Sequence, residues 1–161
     1  MANLYLMCGI PGSGKSTWLK NHLKKFDKYV SRDEIRFSMV KENEEYFSKE
    51  NEVFKEFCHQ ITKNLKNGYN TFADATNLNP KARKKLISNV SGYDELYIIV
   101  LETPLQIALK RNAMRTGRSF VPESAIRNMY NSFEFPKIKE GFKTIYVITD
   151  NNPIKIIKED F

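Results

Sequence analysis

The spacing of apolar residues changes several times along this chain, and each change marks a boundary between a strand and a helix. Leu4-Tyr5-Leu6-Met7-Cys8 is a short unbroken apolar run ending at Gly9, the form of a buried strand. After a glycine-rich turn, Trp18, Leu19, Leu23 and Phe26 mark a helical stripe from Lys15 to about Lys25. Tyr29-Val30 predicts a second short strand, and residues 32–40 suit a helix. A longer helix is expected over 45–66, where Phe47, Phe54, Phe57, Cys58, Ile61 and Leu65 recur at helical spacing. Asn67-Gly68 closes it, with Gly68 suited to a left-handed cap. Thr71-Phe72-Ala73 reads as a third strand, and Asn79-Pro80 as an N-cap and first helical residue opening a helix to about Val90. Leu96–Leu101 is apolar on both faces, which predicts a central strand of a parallel sheet. Helices are expected from Thr103-Pro104 to about Met114 and from Pro122 to about Phe133. A fifth strand spans Thr144–Thr149, and Pro153–Asp160 is read as a short terminal helix.

Strands alternating with helices predict an α/β fold: a doubly wound parallel sheet of about five strands with helices on both faces. No linker, repeat or low-complexity stretch divides the 161 residues, so one domain over 1–161 is expected. No run approaches the ~18 apolar residues of a membrane-spanning helix, and the N-terminus lacks the pattern of a secretory signal. The two cysteines, Cys8 and Cys58, form neither a zinc spacing nor a disulfide framework, which points to a reducing, cytoplasmic setting. Neither histidine has a partner at metal-ligand spacing, and His59 reads as structural. The net charge of +7 favours anionic partners. It is uneven: six glutamates against three lysines leave residues 41–56 at −3, so the remainder carries +10. One basic group is Lys81, Arg83, Lys84 and Lys85, and another is Lys110, Arg111, Arg115 and Arg118.

Gly9-Ile10-Pro11-Gly12-Ser13-Gly14-Lys15-Ser16 matches G-x-x-x-x-G-K-[ST] in full, between an expected strand and an expected helix. Glycines let backbone N–H groups turn inward around phosphate oxygens. The helix that follows presents its positive end to the same oxygens. Lys15 adds charge near the β and γ groups, and Ser16 offers a hydroxyl to Mg²⁺. The match predicts a nucleotide-binding site. No Asn-Lys-x-Asp guanine motif occurs, and no long apolar strand ends in paired acids, so a kinase is favoured over a GTPase or a motor ATPase.

A kinase needs a carboxylate to take the acceptor's proton. Asp33 follows the second strand, but Ser31-x-x-Glu34 is also a capping box in which Asp33 simply suits a helix start. Asp74 follows the third strand, where an acid can hold water on Mg²⁺, orient an arginine, or only stabilise a turn. Arg111, Arg115 and Arg118 fall within roughly a 60° wedge of an ideal helix. On that face they suggest a lid over the phosphates, with a solvated basic face as the alternative.

These segments together resemble the kinase domain of phage-type polynucleotide 5′-hydroxyl kinases. The resemblance rests on GIPGSGKSTW at Gly9–Trp18, RDEIR at Arg32–Arg36, TNLNP at Thr76–Pro80 with Arg83, and KRNAMRTGRSFVPESAIRNMY at Lys110–Tyr130. It implies a P-loop kinase fold with an arginine-bearing lid. It further implies that Gly9, Gly12, Ser13, Gly14, Lys15, Ser16, Thr17, Arg111 and Arg115 bind ATP, with Ser16 on Mg²⁺. Asp33 would be the general base, helped in catalysis by Lys15 and Arg115. Arg36 would hold the phosphate adjoining the acceptor nucleoside, and Asp74, Thr76 and Asn77 would line the acceptor pocket. Two features depart from the family's pattern: Ala75 separates Asp74 from Thr76, and the lid is one residue longer between Arg115 and Pro122. The phosphatase signature of bifunctional members, Asp-x-Asp-Gly-Thr, is absent, so no 3′-phosphatase activity is expected.

The function expected is transfer of the ATP γ-phosphate to the 5′-hydroxyl end of DNA or RNA, with nucleic-acid ends as partners and no membrane. A separate phosphatase or ligase partner fits such a role, as does a host cytoplasm if a phage encodes the chain. The rivals are a small-metabolite or nucleoside kinase on the same fold, and a nucleotide-gated nucleic-acid-binding protein without transfer activity.

Overall fold

The computed structural model describes residues 1–150 and 152–160. Among the described residues six strands form one sheet in the order β2-β3-β1-β4-β5-β6. They are β1 (Asn3–Cys8), β2 (Lys28–Ser31), β3 (Thr71–Asp74), β4 (Glu95–Glu102), β5 (Thr144–Thr149) and β6 (Asn152–Ile157). The first five run parallel: β1 pairs with β3 through Leu4↔Thr71 and with β4 through Leu6↔Ile98, β2 with β3 through Val30↔Ala73, and β4 with β5 through Val100↔Val147. Among the described residues six α-helices connect them: α1 (Lys15–His22), α2 (Arg32–Met39), α3 (Glu50–Lys66), α4 (Pro80–Ser88), α5 (Leu105–Ala113) and α6 (Glu123–Ser132).

Alternate residues of each strand serve opposite faces. Leu4, Leu6 and Cys8 of β1 join Leu96, Ile98 and Val100 of β4 in a core closed by Val53, Phe57, Ile61 and Leu65 of α3 and Leu86 of α4. Met7, Ile99, Leu101 and Phe72 point the other way and pack on Leu19 of α1. A third cluster, Ile10, Leu78, Ala108 and Ile126, ties the glycine-rich loop to α5 and α6. The expected α/β fold with helices on both faces is therefore present.

Three expectations are corrected. Residues 152–157 form an antiparallel strand, not a helix, with Tyr146↔Ile156 and Ile145↔Ile157 in register. Ile154, Ile156 and Ile157 are β-branched, and the edge of β5 supplies unpaired backbone groups that a helix there would leave open. The long helix starts at Glu50 rather than residue 45, and Phe47 stands 54% exposed in the turn before it. The first helix stops at His22, so Phe26 is 70% exposed instead of sharing the apolar stripe.

The topology sets where a ligand goes. The strand order switches from one side of β1 to the other, and in open parallel sheets ligands bind at the carboxyl ends of strands beside such a switch. The loops after β1, β2 and β3 all open there. No helix among the described residues is long and apolar enough to cross a membrane.

Candidate active site

The loop after β1 is built around two glycines with left-handed backbone, Gly12 (φ 84) and Gly14 (φ 88). A Cβ at Gly12 would stand 2.5 Å from the Ala108 carbonyl oxygen of α5, so only glycine lets the loop lie this close to the lid helix. Gly14 is the N-cap of α1 and sends the helix N–H groups toward the loop's hollow. The loop is pinned from below by Gly9 N–H donating to the Thr76 carbonyl at 3.0 Å. The Lys15 ammonium donates to the carbonyls of Gly9 at 2.8 Å and Ile10 at 3.0 Å, and burial lowers its pKa.

Ser16 and Asp74 meet above this loop. The Ser16 hydroxyl donates to Asp74 Oδ2 at 2.9 Å. Burial holds the Asp74 carboxyl above its ordinary range, against the pull of the Lys15 ammonium and the Ser16 hydroxyl. A hydroxyl and a carboxylate side by side are hard oxygen donors, so the pair suits Mg²⁺, which takes few protein ligands and completes its shell with water and phosphate oxygens. Asp74 is therefore placed beside Ser16, in the same cavity as Thr76.

Asp33 lies in the first turn of α2, capped by Ser31, whose Oγ accepts from Glu34 N–H at 3.2 Å. The second half of the capping box is not made, since the Glu34 carboxylate takes the Tyr29 hydroxyl instead. Asp33 Oδ1 accepts from Arg36 Nη1 at 2.5 Å and from the Tyr46 hydroxyl at 3.4 Å, yet its side chain stays 67% exposed.

Arg36 is 6% exposed, and its five N–H donors match five contacts. Nε donates to Glu50 Oε1 at 3.1 Å, and Nη2 to the two Glu50 oxygens at 2.7 and 3.0 Å. Nη1 reaches Asp33 at 2.5 Å and Tyr46 Oη at 3.3 Å, while the rings of Tyr46 and Phe47 flank the guanidinium. In this arrangement Arg36 has no donor left for an acceptor phosphate; it holds Asp33.

One cavity of about 330 Å³ collects most of the expected residues: Gly12, Gly14, Lys15, Ser16, Thr17, Asp33, Arg36, Asp74, Thr76 and Arg115. Others lie elsewhere. Asn77 is 5% exposed, with φ 47, and spends its amide on the Met7 carbonyl at 2.7 Å, so it braces the loop instead of lining the acceptor pocket. Ser13 is 3% exposed, buried within the loop. Gly9 borders a second cavity of about 660 Å³, shared with Thr103, Ile107 and Asp150. Arg111 stands between the two, donating to the Gly12 carbonyl at 3.3 Å and Asp150 at 3.2 Å.

The three-arginine wedge does not form, because α5 ends at Ala113. Arg115 reaches the cavity from beyond that helix, with a 3.5 Å contact to the Ser119 carbonyl. Arg118 turns away, donates to the Phe37 and Val40 carbonyls at the end of α2, and stacks on Phe37. The basic group at 81–85 is split as well: Arg83 is fully buried on Glu140, while Lys81, Lys84 and Lys85 face outward.

Sequence reasoning missed Arg32, Phe37, Tyr46, Phe47 and Glu50, all of which line the cavity. Glu50 lies 14 residues from Arg36, inside the acidic stretch read only as a charge balance, and no spacing rule links them.

The family described as AAA domain matches residues 4–136. L-seryl-tRNA(Sec) kinase of Methanococcus maripaludis is 30% identical over 143 residues, covering 84% of this chain and 54% of that protein. A protein of Autographa californica nuclear polyhedrosis virus, assigned as a bifunctional polynucleotide kinase/RNA ligase, is 27% identical over 144 residues, covering 81% of this chain and 20% of its own length. A chain of the Pnkp1/Rnl/Hen1 RNA repair complex superposes with a TM-score of 0.68 at 27% identity, covering 81% of this chain and 43% of that one. This chain thus spans about half the length of the first of these relatives and a fifth of the viral one. With its phosphate loop, its six-stranded sheet and this match over most of its length, the chain belongs to the AAA-domain family of P-loop proteins as a kinase-type domain, similar to polynucleotide kinase domains.

Proposed function

We propose that this domain transfers the γ-phosphate of ATP to the 5′-hydroxyl end of DNA or RNA. The observation that carries the reading is a single cavity that brings together Lys15, Ser16, Asp74 and an exposed carboxylate, Asp33. ATP lays its phosphates along the Gly12–Thr17 backbone. Ser16 and Asp74 would hold Mg²⁺, which would supply charge neutralisation to the phosphate groups. Asp33 receives the proton of the acceptor hydroxyl, while Arg36 and Tyr46 fix the direction of its carboxylate. The hydroxyl oxygen attacks in line, and ADP leaves. Lys15 and Arg115 offset the charge that spreads over the transferring group. Similarity to polynucleotide kinase domains supports the choice of acceptor.

One observation favours a smaller acceptor: the saturated Arg36 removes the cation expected to hold a polynucleotide phosphate. Incubation with γ-labelled ATP, Mg²⁺ and 5′-hydroxyl oligonucleotides separates the readings. Label on the oligonucleotide terminus is expected. Label found only on members of a sugar, nucleoside and antibiotic panel would replace this reading with a metabolite kinase. ATP-dependent oligonucleotide binding without transfer would replace it with a nucleotide-gated binder.

A further inference from the structure

Outside the cavity, α4 carries a concentration of positive charge that no carboxylate answers. Arg83 turns inward and is fully buried, which leaves Lys81, Lys84 and Lys85 on the solvent side of the helix. At helical spacing the three fall within a fan of about 100°. None of them forms an ion pair among the described residues. Like charges three and four residues apart repel, and an anion lying across them relieves the repulsion. A solvated basic face needs no partner; what distinguishes this one is its continuity with the cavity. Asp74, Ala75 and Thr76 line the cavity, and the chain then runs through Asn79, the N-cap, directly into Lys81. From the other side, Phe54 of α3 carries two cations: the Arg32 guanidinium at 5.2 Å and the Lys85 ammonium at 4.4 Å from the ring centre. Arg32 lines the cavity, so Lys85 stands one aromatic ring beyond the cavity wall. The acids flanking Phe54 do not neutralise this path. Glu56 accepts from the Gln60 amide at 2.9 Å, and Glu52 pairs with neither cation.

From this continuity we infer that the Lys81–Lys84–Lys85 face of α4 is a docking surface for the sugar–phosphate backbone of the acceptor strand, beyond the nucleotides that enter the cavity. The inference rests on the proposed polynucleotide acceptor and narrows it to strands of several nucleotides. Lysine suits the task, since an ammonium on a flexible stem neutralises successive phosphates without reading sequence. Lys81 and Lys85 stand about 6 Å apart along the helix axis, so a backbone laid along α4 meets them in turn. The lysines govern binding of the strand, and the chemistry inside the cavity does not involve them.

Adenosine 3′-monophosphate fits within the cavity, whereas a single-stranded 5′-hydroxyl decanucleotide reaches α4. Steady-state transfer from labelled ATP to each is measured for the wild type, for a triple variant Lys81→Ala, Lys84→Ala, Lys85→Ala, and for a control variant Lys20→Ala, Lys24→Ala, Lys25→Ala. The control removes the same charge from the helix α1 end, across the sheet. The wild type is expected to show a lower KM for the decanucleotide than for the mononucleotide. The α4 variant raises the decanucleotide KM by about tenfold or more, with kcat and mononucleotide transfer unchanged. Its slope of log KM against log salt falls by about two, at ~0.7 per lost phosphate contact on a single strand. The control variant leaves KM within about twofold of wild type. Equal KM values for the two acceptors in the wild type overturn the inference, as does an equal loss in the control or on both acceptors. If the wild type transfers to neither acceptor, the functional reading fails separately, and fluorescence anisotropy of the labelled decanucleotide without ATP decides the surface. Binding lost in the α4 variant and kept in the control upholds it; binding alike in all three chains, or absent from the wild type, ends it.

Discussion

Asp33 occupies a position that suits two purposes at once. In the first turn of α2 its charge complements the helix N-terminus, and its exposed carboxylate lines the cavity shared with the phosphate loop. Asp33→Asn keeps the size and an acceptor oxygen but cannot take the proton. It is expected to lower kcat by about 100-fold or more, the usual scale for loss of a general base, with ATP affinity nearly intact. Near-normal turnover would leave the residue only its helix-start role. Cys8 offers a pH test away from the chemistry. Burial beneath the loop pushes its thiol from 9.0 up to about 12. Because the folded-state pKa is raised, the thiol's contribution is intact below pH 9 and is lost as pH rises toward 12. In that window the unfolded chain has released a proton that the folded chain retains. Thermal melting followed across this alkaline range should show a shallower decline in Cys8→Ala than in the wild type; parallel declines would mean that other groups govern it.

At the scale of elements, the segment after α5 and helix α2 are joined by one side chain. Arg118 comes from the segment after α5, and its donors close the last carbonyls of α2, Phe37 and Val40, as cations commonly do at helix ends. The contact places the Arg115 segment over the cavity and braces the helix that bears Asp33. Arg118→Ala is expected to lower kcat/KM by about tenfold, equivalent to ~1.4 kcal/mol. Limited proteolysis within residues 114–121 should accelerate in parallel. Unaltered cleavage together with a rate within about twofold of wild type would show that the lid keeps its place without this tie. The pattern-based reading captured α4 well, because Asn79 caps it by accepting from Ala82 N–H at 2.9 Å and Pro80 fills the first turn. It failed at residues 45–49, where the aromatic spacing continues but Phe47 serves the wall of the cavity instead of the core.

Over the whole molecule, one buried ion pair ties separate parts of the chain. Arg83 of α4 is fully buried, donates to both oxygens of Glu140, and also reaches the carbonyls of Asn77 and Glu134. It thereby links the loop after β3 to the segment before β5. Arg83→Met leaves Glu140 without its partner, and urea titration should show a loss of about 3–5 kcal/mol. A double variant with Glu140→Leu should regain part of that, since the stranded charge is gone. The same residue marks the boundary of what sequence can tell. Local rules determined the alternation of strands and helices, the phosphate loop and the capped start of α2, because spacing, glycine conformation and capping act within a few residues. They also brought Lys15, Ser16, Asp33 and Asp74 to notice, since each lies at the carboxyl end of a strand or in the turn and helix start that follow it, where such sheets bind ligands. Only the tertiary structure decided that residues 152–157 complete the sheet, that Arg83 is core while Lys84 is surface, and that Glu50 takes every spare donor of Arg36 not held by Asp33 and Tyr46. Those outcomes depend on which distant group arrives at a buried edge or cation, and desolvation makes that pairing obligatory without leaving a trace in the local pattern.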